Sequence, residues 1–236
     1  MAAPSLADQP HSAVIMPAPA DAAARILTTL TLAFVDDPAV RWMLPDPEQH
    51  LRYFPQFAQA LAGSALPAGT AWIAGDCEGA ALWLAPDAHP DEQALLALVE
   101  EGVAPRQQAD AFAVFEEMAR HHPAEPHWYL PLIGVDPSRQ GRGLGSALLR
   151  RVLEACDAAR SIAYLEATGP RNRLLYERHG FVAIGQIKVG NCPPITPMLR
   201  QPRTRMGTKN RPLFRSLEHR NQPTHTSVRL SFGGSG

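Results

Sequence analysis

The sequence predicts an α+β (mixed α/β) fold, with helices flanking a central sheet. Three observations carry this. Apolar residues recur at helical spacing early in the chain, at Ala22, Ile26, Leu30 and Ala33. Two apolar runs, TAWIAG and GAALWLAP, are separated only by DCE, as in a hairpin. The second half then alternates strand-like and helix-like segments. With 236 residues, 45% hydrophobic and 19% charged, the chain is long enough to bury a sizeable core.

Each element follows from local chemistry. HSAVIM (residues 11–16) suits a short first strand. The helix from Ala20 to Phe34 is broken by Asp36-Asp37-Pro38. PEQHLRYFPQFAQALAGSAL predicts a second helical region interrupted at Pro55. The hairpin follows, then helices over Asp91–Glu101 and Gln108–Arg120. HWYLPLIGVDP (residues 127–137) is aromatic and branched, as a buried strand would be. Pro131 within it marks an edge or an irregularity. A helix runs from about Leu144 to Arg160, SIAYLEAT is a strand, and RNRLLYERHG is a short helix closed by Gly180. FVAIGQIKV and ITPMLR finish as strands. Residues 1–202 read as one domain. Residues 203–236 lose apolar periodicity and read as a basic, disordered tail.

Charge and cysteine usage narrow the function classes. Seven Lys or Arg and one acid lie in residues 203–236, so the tail is near +6 and the body near −7. An acidic body argues against a nucleic-acid binder, although a scaffold binding nucleic acid through the tail stays open. No run of about 18 apolar residues suggests a membrane span. The first 25 residues lack the basic and apolar regions of a secretory signal. Cys77, Cys156 and Cys192 are odd in number and widely spaced. They form neither a disulfide framework nor a CxxC pair, so a reducing, cytoplasmic setting is expected. His121, His122 and His127 cluster with Glu125, but the spacing matches no zinc pattern, and no metal is expected.

The stretch RQGRGLGSALLRR (residues 139–151) sets three alternating glycines before a helix. It lacks the lysine of GxxxxGK[ST] and the spacing of GxGxxG. Such a turn either needs positive φ alone or cradles a phosphate, with converging N–H groups and the helix dipole as donors.

The flanks resemble a known family. GVDPSRQGRGLGSALL resembles the acetyl-CoA signature of the GNAT N-acetyltransferase superfamily, Q/R-x-x-G-x-G/A after a strand ending in V-x-P. Gln140, Gly143, Gly145, Val135 and Pro137 occupy its positions. LEATGPRNRLLYERHGF resembles the later segment of the superfamily, with Asn172, Tyr176 and Gly180-Phe181 in order. Residues 124–200 match well and the first half loosely. The same segments, with LAFVDDPAVRWMLPD and GAALWLAPD, look like the branch around puromycin N-acetyltransferase. The resemblance implies a mixed, mostly antiparallel sheet splayed near its middle, with acetyl-CoA as co-substrate in the gap.

It also implies roles. Gln140, Gly141, Arg142, Gly143, Leu144, Gly145 and Ser146 would hold the pyrophosphate, with Arg139 or Arg142 adding charge. Backbone at Ile133, Gly134 and Val135 would align the pantetheine and polarise the thioester carbonyl. Glu166, mid-strand, is the candidate base, with an ion pair or a solvated sheet face as its alternative. Tyr176 is the candidate acid, or else a core tyrosine. Asn172 either bonds the pantetheine or caps a helix. Trp42, Asp36 and Asp37 are candidates to bind a cationic amine, although both acids could equally be helix-end residues in water. Trp72 and Trp83 are expected in the core. The expected activity moves acetyl from acetyl-CoA to a primary amine of a small molecule, such as an aminonucleoside, in a ternary complex. The protein would be a monomer or homodimer. A protein amine acetyltransferase of the same fold and a non-catalytic acyl-CoA sensor are the alternatives.

Overall fold

The computed structural model describes residues 14–203. Within them, seven strands form one sheet and seven α-helices cover it. The strands are β1 (Ile15–Pro17), β2 (Ala71–Ala74), β3 (Gly79–Leu84), β4 (His127–Val135), β5 (Ile162–Ala167), β6 (Val182–Ala183) and β7 (Thr196–Arg200). Their order is β1-β2-β3-β4-β5-β7-β6. Every pair is antiparallel except β4 with β5. The fold is thus the α+β one that the sequence patterns predict, with the mixed, mostly antiparallel sheet that the resemblance implies. The expected disorder of residues 204–236 and the start of the first strand lie outside the described residues.

The helices are α1 (Ala23–Ala33), α2 (Pro38–Met43), α3 (Pro47–Ala62), α4 (Glu92–Gly102), α5 (Pro105–His121), α6 (Leu144–Ala159) and α7 (Pro170–Arg178). Ile26 and Leu30 of α1 and Phe54 and Phe57 of α3 bury one apolar layer against the sheet, together with Ile73, Leu82, Tyr129 and Tyr164. The opposite face is covered by Leu148, Leu149, Val152 and Cys156 of α6, which meet Trp83, Leu165, Tyr176 and Met198. Trp72 and Trp83 are both core residues, and Arg151 lies 4.9 Å over the Trp72 ring.

Three expectations need correction. Pro55 does not interrupt α3. The bond it forfeits is to the carbonyl of residue 51, on the side where Leu51 is exposed and water can serve instead, while Tyr53, Phe54 and Phe57 anchor the buried side. Asp36-Asp37-Pro38 does more than end α1. Asp37 caps α2, accepting from the amides of Ala39 (3.0 Å) and Val40 (3.1 Å), with Pro38 in the first turn. The strand expected from FVAIGQIKV shrinks to Val182–Ala183, both exposed, plus a bridge from Ile187 to Ile195. Gly185 and Gly190 flank that bridge, and glycine gives an edge strand nothing to pack.

The feature that positions the site lies between β4 and β5. They pair in parallel only at His127 with Ile162, Trp128 with Ala163 and Tyr129 with Tyr164. On the other edge of β4, Leu82 pairs with Leu132 but Leu84 with Tyr129, so β4 carries one extra residue around Leu130 and Pro131. Proline has no N–H and fits where a ladder breaks. Pro131 thus marks an irregularity in a central strand, not an edge. Beyond it the two strands part, and the sheet is splayed.

Candidate active site

The splay opens a cleft of about 690 Å³. Ile133, Gly134 and Val135 line one wall, and Glu166 and Thr168 the other. The glycine turn, Tyr176 and Asn172 of α7, and Asp36 and Asp37 of the α1–α2 connection complete it. A side chain at Gly134 would meet Ala33 Cβ at 2.7 Å, so glycine there lets α1 lie against the cleft wall.

The turn before α6 is built for close approach. Gly141 and Gly143 have φ of +79° and +82°, and nothing lies within 4 Å of where their Cβ atoms would stand. The first helical bond of α6 runs from the Ala147 amide to the Gly143 carbonyl, at 3.0 Å. The amides of Leu144, Gly145 and Ser146 precede it and have no partner within the helix. Unspent donors, a helix dipole and open space fit a diphosphate. Gln140 also lines the cleft, but its side-chain amide is engaged elsewhere. Its Nε2 donates to the Val135 carbonyl at 3.2 Å and ties the turn to β4. Arg139 pairs with Glu78 at 3.1 Å while still lining the cleft. Arg142 is exposed and does not line it, whereas Arg171 and Arg178, which the sequence analysis left aside, do.

Glu166 is the most perturbed acid of the cleft. Its side chain is 4% exposed, and Oε1 has no well-formed hydrogen bond. Burial pushes its carboxyl up to about 7, and the nearby phenols of Tyr129 and Tyr164 only temper the rise. Tyr176 is also buried. Burial, then the charges of Asp37 and Glu166, raise its hydroxyl well above the usual tyrosine range, so it holds its proton at neutral pH. His122 stands beside Glu166, with Nε2 3.6 Å from Oε1. Of the histidine cluster, His122 therefore faces the cleft acid, while His121 and His127 contact the backbone carbonyls of Glu117 and Glu125. Period-2 alternation along β5 puts Tyr164, Glu166 and Thr168 on one face, but His122 lies outside β5 and meets Glu166 only in the folded sheet.

Three other candidates hold structure together. Asn172 accepts from the Gly169 amide at 3.0 Å and donates to Thr168 Oγ1 at 2.9 Å, so it caps α7. Thr168 in turn donates to Asp37, already the cap of α2. This chain latches α2 to the start of α7 across the cleft. Burial raises the Asp37 carboxyl against these bonds. Asp36 is exposed at the cleft rim. Trp42 does not line the cleft. Its indole donates to Asn191 at 2.7 Å, and its ring packs between α2 and the β6–β7 connection.

Comparison with known proteins gives this geometry its context. The model of the acetyltransferase (GNAT) domain matches residues 91–183. A Corynebacterium glutamicum structure described as histone acetyltransferase HPA2 and related acetyltransferase is 30% identical. It covers 83% of this chain and 99% of its own, with a TM-score of 0.60. The chain belongs to the GNAT acetyltransferases. An uncharacterised N-acetyltransferase of Schizosaccharomyces pombe is 25% identical over 198 residues, 75% of this chain and 78% of that protein. The Drosophila melanogaster polyamine N-acetyltransferase, which forms N-acetylagmatine, shares the fold at 13% identity. It covers 80% of this chain and 99% of its own, with a TM-score of 0.58. This GNAT protein is an acetyl-CoA-dependent N-acetyltransferase. Among its described residues, no helix is long and apolar enough to cross a membrane.

Proposed function

We propose that this GNAT enzyme transfers acetyl directly from acetyl-CoA to a primary amine of a small molecule, both bound in the splayed cleft. The observation that carries the reading is Glu166, a sealed carboxylate with its pKa near neutrality in the same cleft as the glycine turn and Tyr176. The amides of residues 144–146 hold the diphosphate. The unpaired edge of β4 aligns the pantetheine, and a β4 amide near Val135 polarises the thioester carbonyl.

An ammonium has no lone pair, so Glu166 takes a proton from the acceptor, directly or through a water. The amine nitrogen then bonds to the carbonyl carbon, and collapse of the adduct breaks the carbon–sulfur bond. Tyr176 gives its proton to the departing thiolate, and its phenolate takes up the second proton that the nitrogen of the adduct sheds on becoming an amide. Proximity supplies most of the acceleration, and each proton transfer about 100- to 10,000-fold.

The acceptor carries an amine and has no need of a fixed partner acid. Asp37 is spent on a helix cap, leaving Glu166 inside and Asp36 at the rim. The fold relative that forms N-acetylagmatine supports a small amine, and the sequence resemblance adds an aminonucleoside to the candidates. A thiol-release assay with acetyl-CoA and puromycin, agmatine, tryptamine and a histone-tail peptide tests the reading. Saturable turnover of a small amine is the expected result. Turnover of the peptide alone would move the acceptor to proteins. Tight acetyl-CoA binding with no turnover of a broad amine panel would make the protein a sensor.

A further inference from the structure

Glu166 poses a problem that the reading above leaves open. A carboxyl only 4% exposed that takes a proton must pass it on before the next turnover. The adjacent histidines are arranged to receive it. The Glu125 carbonyl can only accept a hydrogen bond, and His127 Nδ1 lies 2.8 Å from it, so Nδ1 carries the hydrogen. With that hydrogen on Nδ1, the imidazole form of His127 presents a lone pair at Nε2, 3.0 Å from His122 Nδ1. His122 therefore donates from Nδ1 and keeps its Nε2 lone pair, on the side facing Glu166 Oε1 at 3.6 Å. The ring packs against both Tyr129 and Tyr164, with centroids 4.5 Å from each, and these two rings neighbour one another at 5.8 Å. The His122 side chain is 26% exposed, so it also reaches water.

We propose that His122 accepts the proton from Glu166 and returns it to the base form, with His127 fixing the tautomer that makes this possible. The proposal rests on Glu166 being the base. In the step, the Glu166 O–H bond breaks as a His122 Nε2–H bond forms. The imidazolium then releases a proton to water, and both groups are restored. The groups facing His122 are Glu166 and Tyr164 of β5, His127 and Tyr129 of β4, and His89 of the β3–α4 connection. Burial, then the other two imidazoles, hold His122 down to about 4, below Glu166 at about 7, so it is neutral at pH 7, takes the proton uphill and holds it only until water removes it. His122 is thus a positioning residue, acting on the substrate only through Glu166.

The test compares wild type, His122→Phe, His122→Asn and Glu166→Gln, each checked for cooperative melting. Phenylalanine keeps a ring against the two tyrosines and removes the nitrogens. With agmatine as acceptor, His122→Phe should lower kcat at least tenfold while leaving KM for acetyl-CoA within twofold. Its solvent deuterium isotope effect should rise, and added imidazole should restore part of the rate. A rate within twofold of wild type overturns the proposal. So does a slower rate with an unchanged isotope effect and no response to imidazole, which is a packing defect. If Glu166→Gln keeps the wild-type rate, the base assignment itself has failed. If Glu166→Gln is slow and His122→Phe is not, only the relay has failed. An infrared titration needs no acceptor. The protonated-carboxyl stretch absent in Glu166→Gln should shift in both His122 variants, and an unmoved band counts against the contact.

Discussion

Glu166→Gln should make the protein more stable at alkaline pH while making it slower. In the folded state the carboxyl titrates near 7, against 4.5 for an ordinary glutamate. Between these values the folded state holds a proton that the unfolded chain has released, so stability falls as pH rises. Below 4.5 both states are protonated and nothing is lost. Above 7 both are ionised and the loss is complete. A difference of about 2.5 units at about 1.4 kcal/mol each comes to about 3.5 kcal/mol, carried by one side chain that is 4% exposed. Glutamine does not titrate, so the stability of the variant relative to wild type should climb by about 3.5 kcal/mol between pH 4.5 and 8. Urea unfolding of both proteins at half-unit steps measures it. A stability difference that is flat with pH, or that grows toward acid, would refute the reasoning. It would mean that Glu166 is paired or solvated as in an ordinary protein. Activity should show the mirror image, falling below an apparent pKa near 7 in wild type as the base becomes protonated.

Other outcomes follow from the same geometry. Gly143→Ala should cost about 1–2 kcal/mol for its left-handed φ but leave acetyl-CoA binding nearly intact, since its Cβ has open space. Gly143→Glu adds a charge beside the diphosphate worth about 3 kcal/mol at 5 Å and an effective dielectric of 20. Calorimetric titration should show at least 100-fold weaker binding, and equal binding by both variants would sink the cradle. Tyr176→Phe should turn over about 100-fold slower without losing acetyl-CoA affinity, and an unchanged kcat would remove it as the acid. Arg200, buried in β7, makes two 2.8 Å bonds to Asp157 and one to the His179 carbonyl. Burial alone would raise Asp157, but these bonds win and hold it low. Arg200→Met should cost about 3 kcal/mol at neutral pH. The deficit should shrink as pH falls through the carboxylate range, where wild type loses the same pairing.

The elements that the sequence announced best are those whose periodicity and ends agree. Leu144 to Ala159 is amphipathic and begins at a glycine that needs positive φ, so α6 was legible to within a residue. The hairpin was equally plain, since both strands are uninterrupted apolar runs. Asp37-Pro38 was half legible. An aspartate before a proline signals a helix start as well as a stop, and only tertiary packing allows a helix of six residues. Pro55 misled because local propensity is weak against Tyr53, Phe54 and Phe57 buried on the opposite side. In the site, motif order located the glycine turn, Glu166 and Tyr176. It could not assign Asn172 or Asp37, because a capping side chain and a ligand-binding one share the same chemistry. The His122 cluster was visible as composition but not as geometry, because it faces Glu166 only after β4 and β5 pair.

The parting of β4 and β5 leaves two strand edges in the interior of a sheet, where edges are normally filled. An exposed outer edge invites any extended chain, including another copy of the protein. These inner edges lie beside α1, α7 and the latch through Thr168, which line the gap. On the proposed function, a slender arm with amide groups spaced along it would complete the ladder there. The break that opens the reaction space would then be filled by the co-substrate itself, and the sheet would be whole only when loaded.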